Sequence, residues 1–403
     1  MAAQMRKPLM RIPYTDILAA PTIIPPSATS AAGALAALQT FLEAPAPRHL
    51  PQRTVVLTGA GLSVASGLAD YRGSKGTYRV NKSFRPIYYH EFVGNHEFRK
   101  RYWARSFLGW PSLYGASPNS GHYAIRDLGE LGLIHSVITQ NVDSFHPRAH
   151  PHIPSLELHG YLRATVCVNC RSEFPRDVFQ EELARLNPRW AILLEEALAS
   201  GALKTEDPLE RRFKGLRMNP DGDVDLPDAP YTTFRYPPCP SCLSDPPTGP
   251  DGHRHMVQAD DDGAWHPSST AGILKPAVVM FGETITGAVK TAAEQAIDGA
   301  GRLLILGTSL ATYSAWRLAK HAKDRGMPMA LVNMGGVRGE DQLFGDTVGH
   351  DQHGEEAVRI ELPTDELLPA LVTQLRKTAI PVISQESSDS TQGSSAPFKD
   401  MLS

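Results

Sequence analysis

Thr54-Val55-Val56-Leu57-Thr58-Gly59-Ala60-Gly61-Leu62-Ser63-Val64-Ala65-Ser66-Gly67-Leu68-Ala69-Asp70-Tyr71-Arg72-Gly73 reads as a buried strand that runs into a glycine turn and then a polar loop. A strand ending in glycines brings backbone N–H groups against a pyrophosphate. The spacing is not G-x-G-x-x-G, so the dehydrogenase fingerprint fits poorly. Asp70 and Arg72 lie just beyond the glycines, within reach of a bound nucleotide.

Totals narrow the class. At 403 residues the chain has room for two or three domains, or one large domain with an insertion. A hydrophobic share of 41% and a charged share of 21% are ordinary globular values. The net charge of −3 gives no reason to expect direct nucleic-acid binding. No apolar run approaches the roughly 20 residues of a membrane-spanning helix. The four cysteines fall into two Cys-x-x-Cys pairs, which speaks for a reducing compartment and against a disulfide scaffold. Near the start, Arg6, Lys7 and Arg11 precede the first acid, Asp16, as in a mitochondrial transit peptide. Five prolines between Pro8 and Pro26 would interrupt an amphipathic helix, so a plain disordered tail stays open.

Beyond the opening strand, apolar runs alternate with helical periods. Ala31–Leu42, Gly121–Leu131, 287–299 and 313–325 read as helices. His135–Thr139, Ala277–Phe281, Leu303–Leu306 and Met329–Val332 read as short buried strands. That alternation predicts a parallel sheet covered on both faces. It breaks between about 165 and 272, where the cysteines lie, and the simplest account is an insertion. Residues 243–271, rich in Pro, Gly, Asp and His, read as a solvent-exposed polar loop without structure of its own. His253, His255 and His266 beside Asp260-Asp261-Asp262 leave a metal site there as the lesser alternative.

Cys167-x-x-Cys170 and Cys239-x-x-Cys242 form two knuckles of a closed tetrahedral site, which suits one structural zinc ion. Thr139-Gln140-Asn141-Val142-Asp143 closes a strand at the sheet edge where ligands of open α/β folds sit. Its amides and carboxylate could take ribose hydroxyls and a carboxamide. His159-Gly160 follows a short strand-like run, and its imidazole suits general-base work. Gly307-Thr308-Ser309 and Asn333 follow two further strands, placed for phosphate and ribose contacts. Val279-Met280-Phe281-Gly282-Glu283 ends in a glycine whose bare backbone could pair with an extended peptide.

In their order these motifs resemble the sirtuin family of NAD-dependent protein deacylases, over roughly residues 50 to 375. Arg101-Tyr-Trp-Ala-Arg-Ser-Phe-Leu-Gly-Trp-Pro111, Leu186-Asn-Pro188 and Pro220-Asp-Gly-Asp-Val224 are similar to the class II, sirtuin-4-like branch. The resemblance implies an α/β chain with a Rossmann-like doubly wound parallel sheet and a smaller inserted zinc-binding module. The expected layout is an N-terminal extension (1–45), the first part of the NAD-binding domain (46–164, helical at 84–120), the inserted module with its long loop (165–271), the second part (272–378) and a disordered tail (379–403). It implies a mitochondrial location, with cytoplasm and nucleus left open. Ala69, Tyr71, Phe145 and Ala277 stand where the family usually has Pro, Phe, Leu and Asp. These changes bear on rate and acyl preference and remove no catalytic group.

By that resemblance NAD is a consumed co-substrate and acylated lysine side chains of proteins are the partners. Gly59, Ala60, Gly61, Ser63, Asp70, Tyr71, Arg72, Gln140, Asn141, Asp143, Gly307, Thr308, Ser309 and Asn333 would bind NAD. Val279, Phe281, Gly282 and Glu283 would bind the acylated peptide. Asn141, Asp143 and His159 would be catalytic, with His159 as general base. The alternatives are mono-ADP-ribosyl transfer from the same cleft, and an NAD-sensing scaffold without turnover.

Overall fold

All five residues of Thr54–Thr58 are buried, as a strand covered on both faces requires. The computed structural model describes residues 18–81, 84–201, 217–219, 222–226, 228–347 and 349–379. Its strands, in chain order, are β1 (Thr54–Thr58), β2 (Ser136–Thr139), β3 (Ser155–Glu157), β4 (Gly160–Cys167), β5 (Glu173–Pro175), β6 (Arg217–Met218), β7 (Val224–Asp225), β8 (Leu274–Val278), β9 (Arg302–Leu306), β10 (Met329–Val332) and β11 (Ala357–Ile360). Six of them form one sheet in the order β11-β10-β9-β1-β2-β3, with every neighbouring pair parallel.

Register decides where the site lies. Thr58 is opposite Thr139 on one side and Leu306 on the other, and Leu306 is opposite Val332. The strands therefore end level with one another. Gly59, Gln140, Gly307 and Asn333 are each the first residue past that line. The chain runs outward from β1 through β2 and β3, then restarts at β9 on the other side of β1. The strand order reverses there, and such a switch point opens a crevice at the C-terminal strand ends.

Helices Ala31–Glu43, Ser120–Glu130 and Thr364–Ala379 cover one face. Gly287–Asp298, Tyr313–Asp324 and Glu340–Phe344 cover the other. An N-terminal arm adds a bridge to the sheet edge, with Ile24 N–H donating to the Arg359 carbonyl at 3.1 Å and Arg359 N–H returning the bond at 2.7 Å.

A second layer holds the antiparallel sheet β5-β4-β8. The strand expected at Ala277–Phe281 begins three residues earlier, at Leu274, and pairs with β4 instead of joining the parallel sheet. A turn ends it: Glu283 N–H donates to the Met280 carbonyl at 2.9 Å, and Gly282 takes a φ of +81°.

Residues 243–271 depart from expectation too. Two antiparallel bridges, Thr248 with Arg254 and Ala259 with Trp265, organise the segment. Trp265 is buried and stacks on Tyr236, while the Arg99 guanidinium lies 4.6 Å from its ring centroid. Arg235 pairs with both Asp260 and Asp262. A buried indole with cation–π support gives a polar stretch its core, and the acids that suggested an open loop are tied to that arginine. His255 and His266 are hydrogen-bonded to Thr270 and Ser268. Among the described residues the cysteine quartet is the single cluster that could hold a metal. The tail expected as disordered lies outside the described residues from 380 on, and the basic start lies outside them up to 17.

Candidate active site

The two turns at the switch point touch. Gly61 N–H donates to the Gly307 carbonyl at 2.8 Å, and Gly59 N–H to the Leu306 carbonyl at 3.1 Å. A Cβ on Gly307 would lie 2.4 Å from the Leu62 nitrogen, and one on Gly59 would lie 2.6 Å from the Thr308 Cβ. Gly307 also has a φ of +58°, which favours glycine. Backbone packs on backbone here, and the cleft floor is made of peptide groups.

Gln140 stitches the next layer together. Its side-chain amide donates to the Thr58 carbonyl at 3.1 Å and to Thr308 Oγ1 at 2.9 Å. Its Oε1 accepts from Thr312 Oγ1 at 3.0 Å. Asn141 is buried and spends its amide N–H groups on the Gly59 carbonyl at 3.1 Å and Ser63 Oγ at 3.0 Å. Ser63 passes its own proton to Asp143 Oδ2 at 2.7 Å, and Asp143 Oδ1 accepts from Phe145 N–H at 3.0 Å. Burial pushes the Asp143 carboxyl above its ordinary range, opposed by those two donors.

His159 sits between the sheet and the second layer. Its carbonyl accepts from Val279 N–H at 2.8 Å. Its Nδ1 lies 3.1 Å from the Gln140 carbonyl, and its Nε2 2.8 Å from Ser314 Oγ. Burial pulls its pKa down to about 4, against the Gln140 carbonyl, which raises it. The ring is therefore neutral near pH 7, the form a general base needs. Gly160, next in the chain, has a φ of +75°, and a Cβ there would lie 2.1 Å from the Ala277 carbonyl. The close pass of β4 over β8 thus fixes the imidazole's entry angle.

The loop after the first glycines bends back on itself. Asp70 accepts from Gly73 N–H at 3.1 Å and is raised in pKa by burial. Arg72 lies over the Tyr78 ring at 5.0 Å, and Tyr71 meets Phe281 edge-on at 6.2 Å. This loop spans from the glycine turn to the expected peptide strand. Glu283 serves that strand's own turn: it accepts from Met280 N–H at 2.9 Å and pairs with buried Lys275 at 3.1 Å. The Phe281 carbonyl accepts from Tyr89 N–H at 2.8 Å. Asn333 is buried, and its amide donates to the carbonyl of Met334 at 3.1 Å.

Several participants escaped the motif reading. Thr312 and Ser314 follow Gly307-Thr-Ser309 by a few residues, and a hydroxyl-rich helix start after a phosphate-type turn was the available signal. Thr58, Thr139 and His146 form a buried chain beneath the cleft, with Thr58 Oγ1 2.8 Å from Thr139 Oγ1 and 2.9 Å from His146 Nε2. His146 continues to His150 Nε2 at 2.8 Å.

The four cysteine ligand atoms all lie within 4.8 Å of one another, with the Cys167–Cys242 and Cys170–Cys239 sulfurs each 3.6 Å apart. A tetrahedron of sulfurs about 2.3 Å from zinc has edges of this size. A hydrogen bond from Cys239 pulls the Cys167 thiol down to about 5, while Cys239 and Cys242 are pushed up. One thiolate formed among crowded sulfurs resists the next, and a divalent cation removes that conflict. The quartet fits a closed structural zinc site with no open position.

A family model described as "Sir2 family" matches residues 59–314. An NAD-dependent protein deacylase SIR4 of Batrachochytrium dendrobatidis is 40% identical over 301 residues, 73% of this chain and 84% of that protein. The NAD-dependent protein lipoamidase sirtuin-4, mitochondrial, of Bos taurus is 32% identical over 318 residues, 79% of this chain and 83% of that one. A solved structure described under "Structural Basis for the Mechanism and Regulation of Sir2 Enzymes" aligns with a TM-score of 0.52 at 22% identity, covering 85% of this chain and 98% of that chain. At that identity the likeness speaks to the fold.

Proposed function

The chain belongs to the Sir2 family, and from that premise we propose that it is an NAD-dependent protein deacylase acting on acylated lysine side chains. One observation carries the reading: the glycine turn, the Asn141–Asp143 pair and the His159 imidazole meet at a single cleft, joined through Gln140. Relatives whose names state NAD-dependent deacylase or deacetylase activity support it.

With the Gly59, Gly61 and Gly307 N–H groups spent on backbone carbonyls, the N–H groups of Ala60, Thr308 and Ser309 would be the ones to meet a pyrophosphate. Asn333, the first residue past β10, would take the adenosine ribose. Asp143 would hold a carboxamide, the one donor-bearing group of the leaving base. Asn141, tied to the Gly59 carbonyl and Ser63 Oγ, would position the ribose or a water. Bound NAD supplies a glycosidic bond whose cleavage frees nicotinamide and opens the ribose carbon to an acyl oxygen. His159, neutral and already hydrogen-bonded at Nδ1, would accept the proton of a ribose hydroxyl at Nε2. Val279 and Phe281, both half-buried, would have to be covered by the bound peptide for water to be kept from that carbon. A zinc ion held by the four cysteines would tie the end of β4 to the Cys239–Cys242 knuckle, whose Cys239 N–H donates to the Gly272 carbonyl just before β8.

Mass spectrometry of products from NAD and a panel of acyl-lysine peptides tests this. O-acyl-ADP-ribose with free nicotinamide is the expected pair. Adenine label left on protein would assign ADP-ribosyl transfer instead, and no turnover at all would leave a nucleotide-sensing scaffold. The mitochondrial name of the bovine relative and the basic residues Arg6, Lys7 and Arg11 support a mitochondrial location. Import of the full chain into isolated mitochondria, with shortening of its N-terminus, is the check.

A further inference from the structure

We propose that Ser314, the second residue of the helix Tyr313–Asp324, is a positioning residue that locks the His159 imidazole in the one tautomer able to accept a proton at Nε2. What His159 does with that proton rests on the deacylase reading. What Ser314 does to His159 rests on geometry alone.

The Gln140 carbonyl has no proton to give, so the Nδ1 that lies 3.1 Å from it carries the hydrogen. In a neutral ring Nε2 is then the acceptor, and the Ser314 hydroxyl at 2.8 Å is the donor that meets it. That hydroxyl has a second acceptor within reach, Thr312 Oγ1 at 3.3 Å. Thr312 donates in turn to Gln140 Oε1 at 3.0 Å. Gln140 therefore closes the ring: its backbone grips one imidazole nitrogen, and its side chain anchors the hydroxyl pair that grips the other. Thr312 is also the helix N-cap, accepting from Ala315 N–H at 3.4 Å. The start of the helix thereby sets where Ser314 stands.

This gives the Ser314 hydroxyl two settings. Turned to Nε2, it satisfies the lone pair and stops the ring from flipping in the free enzyme. Turned to Thr312, it releases that lone pair to an incoming hydroxyl while keeping its own proton bonded. Ser314 forms no covalent bond and gains or loses no proton over the cycle. A ring held only by its Nδ1 bond to Gln140 would flip more freely, and a flipped ring no longer has that carbonyl to keep the hydrogen on Nδ1.

The test compares wild type with Ser314→Ala and Ser314→Thr, using NAD and an acyl-lysine peptide, and nitrogen NMR of ring-labelled histidine. In Ser314→Ala, kcat should fall about tenfold to a hundredfold, the size of loss that misplacing a reacting group brings. KM for NAD and the thermal midpoint should hold, and Ser314→Thr, which keeps the hydroxyl, should restore kcat. His159 should show a protonated Nδ1 and a bare Nε2 in wild type, and a mixture of tautomers in Ser314→Ala. An unchanged kcat in Ser314→Ala, or a protonated Nε2 in wild type, overturns the proposal. Should wild type yield no O-acyl-ADP-ribose, the deacylase reading falls. The NMR signature then still decides whether Ser314 fixes the ring.

Discussion

Arg359 Nη1 lies 3.0 Å from the backbone carbonyl of Asn333, and its Nη2 lies 2.6 Å from that of Gly335. The guanidinium is fully buried, and its Nε donates to Glu340 Oε1 at 2.7 Å. A planar fork with five donors can hold a loop by its carbonyls and keep its charge paired at once. The loop so held begins at Asn333, the proposed adenosine-side contact.

Arg359→Met should therefore destabilise the fold, because the half-buried Glu340 loses its cation and the Asn333 and Gly335 carbonyls lose their donor. The double variant Arg359→Met/Glu340→Leu should regain most of that stability, since no lone charge remains. NAD affinity should stay weakened in both, because neither holds the Asn333 and Gly335 carbonyls. Denaturant midpoints together with calorimetric NAD titration separate the two effects. Full NAD affinity in the stable double variant would remove Arg359 from any binding role.

Gly307→Ala asks whether the two turns must touch. The added methyl meets the Leu62 nitrogen at 2.4 Å, on a backbone with a φ of +58°. Left-handed strain costs about 1 kcal/mol or more, and the clash pushes the turns apart. NAD binding should drop by at least tenfold, with a smaller loss of thermal stability. Equal NAD affinity in a variant with unchanged stability would show that the turns do not frame the nucleotide.

The parallel sheet and the line of motifs at its edge were legible because each strand is a short, mostly apolar run punctuated by a glycine or amide. Thr58-Gly59, Thr139-Gln140, Leu306-Gly307 and Val332-Asn333 all carry that punctuation, and the register sets them level. The quartet was legible from spacing alone. β8 was misplaced because Lys275-Pro276 reads as a break. The lysine is in fact buried against Glu283, a partner eight residues away that no local pattern shows. The 243–271 segment was misread for a similar reason. Its order comes from Tyr236, Arg99 and Arg235, which lie outside it in sequence. Arg359 acts through backbone carbonyls and Ser314 through the ring of a histidine far away in sequence, and a sequence prints neither contact.

His159→Ala should abolish deacylation while NAD still binds, since the imidazole's contacts are with Gln140 and Ser314 rather than with the glycine turn. In wild type, kcat/KM should be level from about pH 6 to 8. The His159 pKa is pulled to about 4 by burial, so the base is unprotonated across that range and loses nothing as pH falls toward 6. A rate profile with a limb near 6.5, the ordinary histidine value, would show that the ring is solvated and the cleft open.

Stripping zinc, or Cys239→Ser, should unfold the second layer first. Three of the four cysteines belong to one buried cluster with Trp103, Trp190 and Trp265, so tryptophan emission should shift to the red. Metal binding and folding are coupled in such sites. Activity should go with it, because β4 starts at Gly160, and Val279, just past β8, holds the His159 carbonyl. A zinc-free protein with unshifted emission and full turnover would refute both links.

Acid should destabilise the fold well above the carboxylate range. Burial lowers His122 to about 3 and His146 well below its ordinary value; His96 and His159 fall to about 4. For each, the unfolded chain binds a proton near pH 6.5 that the folded chain refuses until near 4 or below. Between those limits the unfolded state holds more protons, so stability is lost as pH falls, by up to about 1.4 kcal/mol per pH unit for each fully buried ring. Asp70 and Asp143 work the other way. Their folded pKa values are raised by burial, so they favour the folded state as pH drops through them. Burial lowers His135 and His150 as well, so six histidines against two carboxyls leave a net loss. Urea midpoints should therefore slide downward steadily from pH 6.5 to 4.5, with proton uptake on unfolding. A flat midpoint over that window, or proton release, would mean that these buried rings are already charged or wet in the native protein.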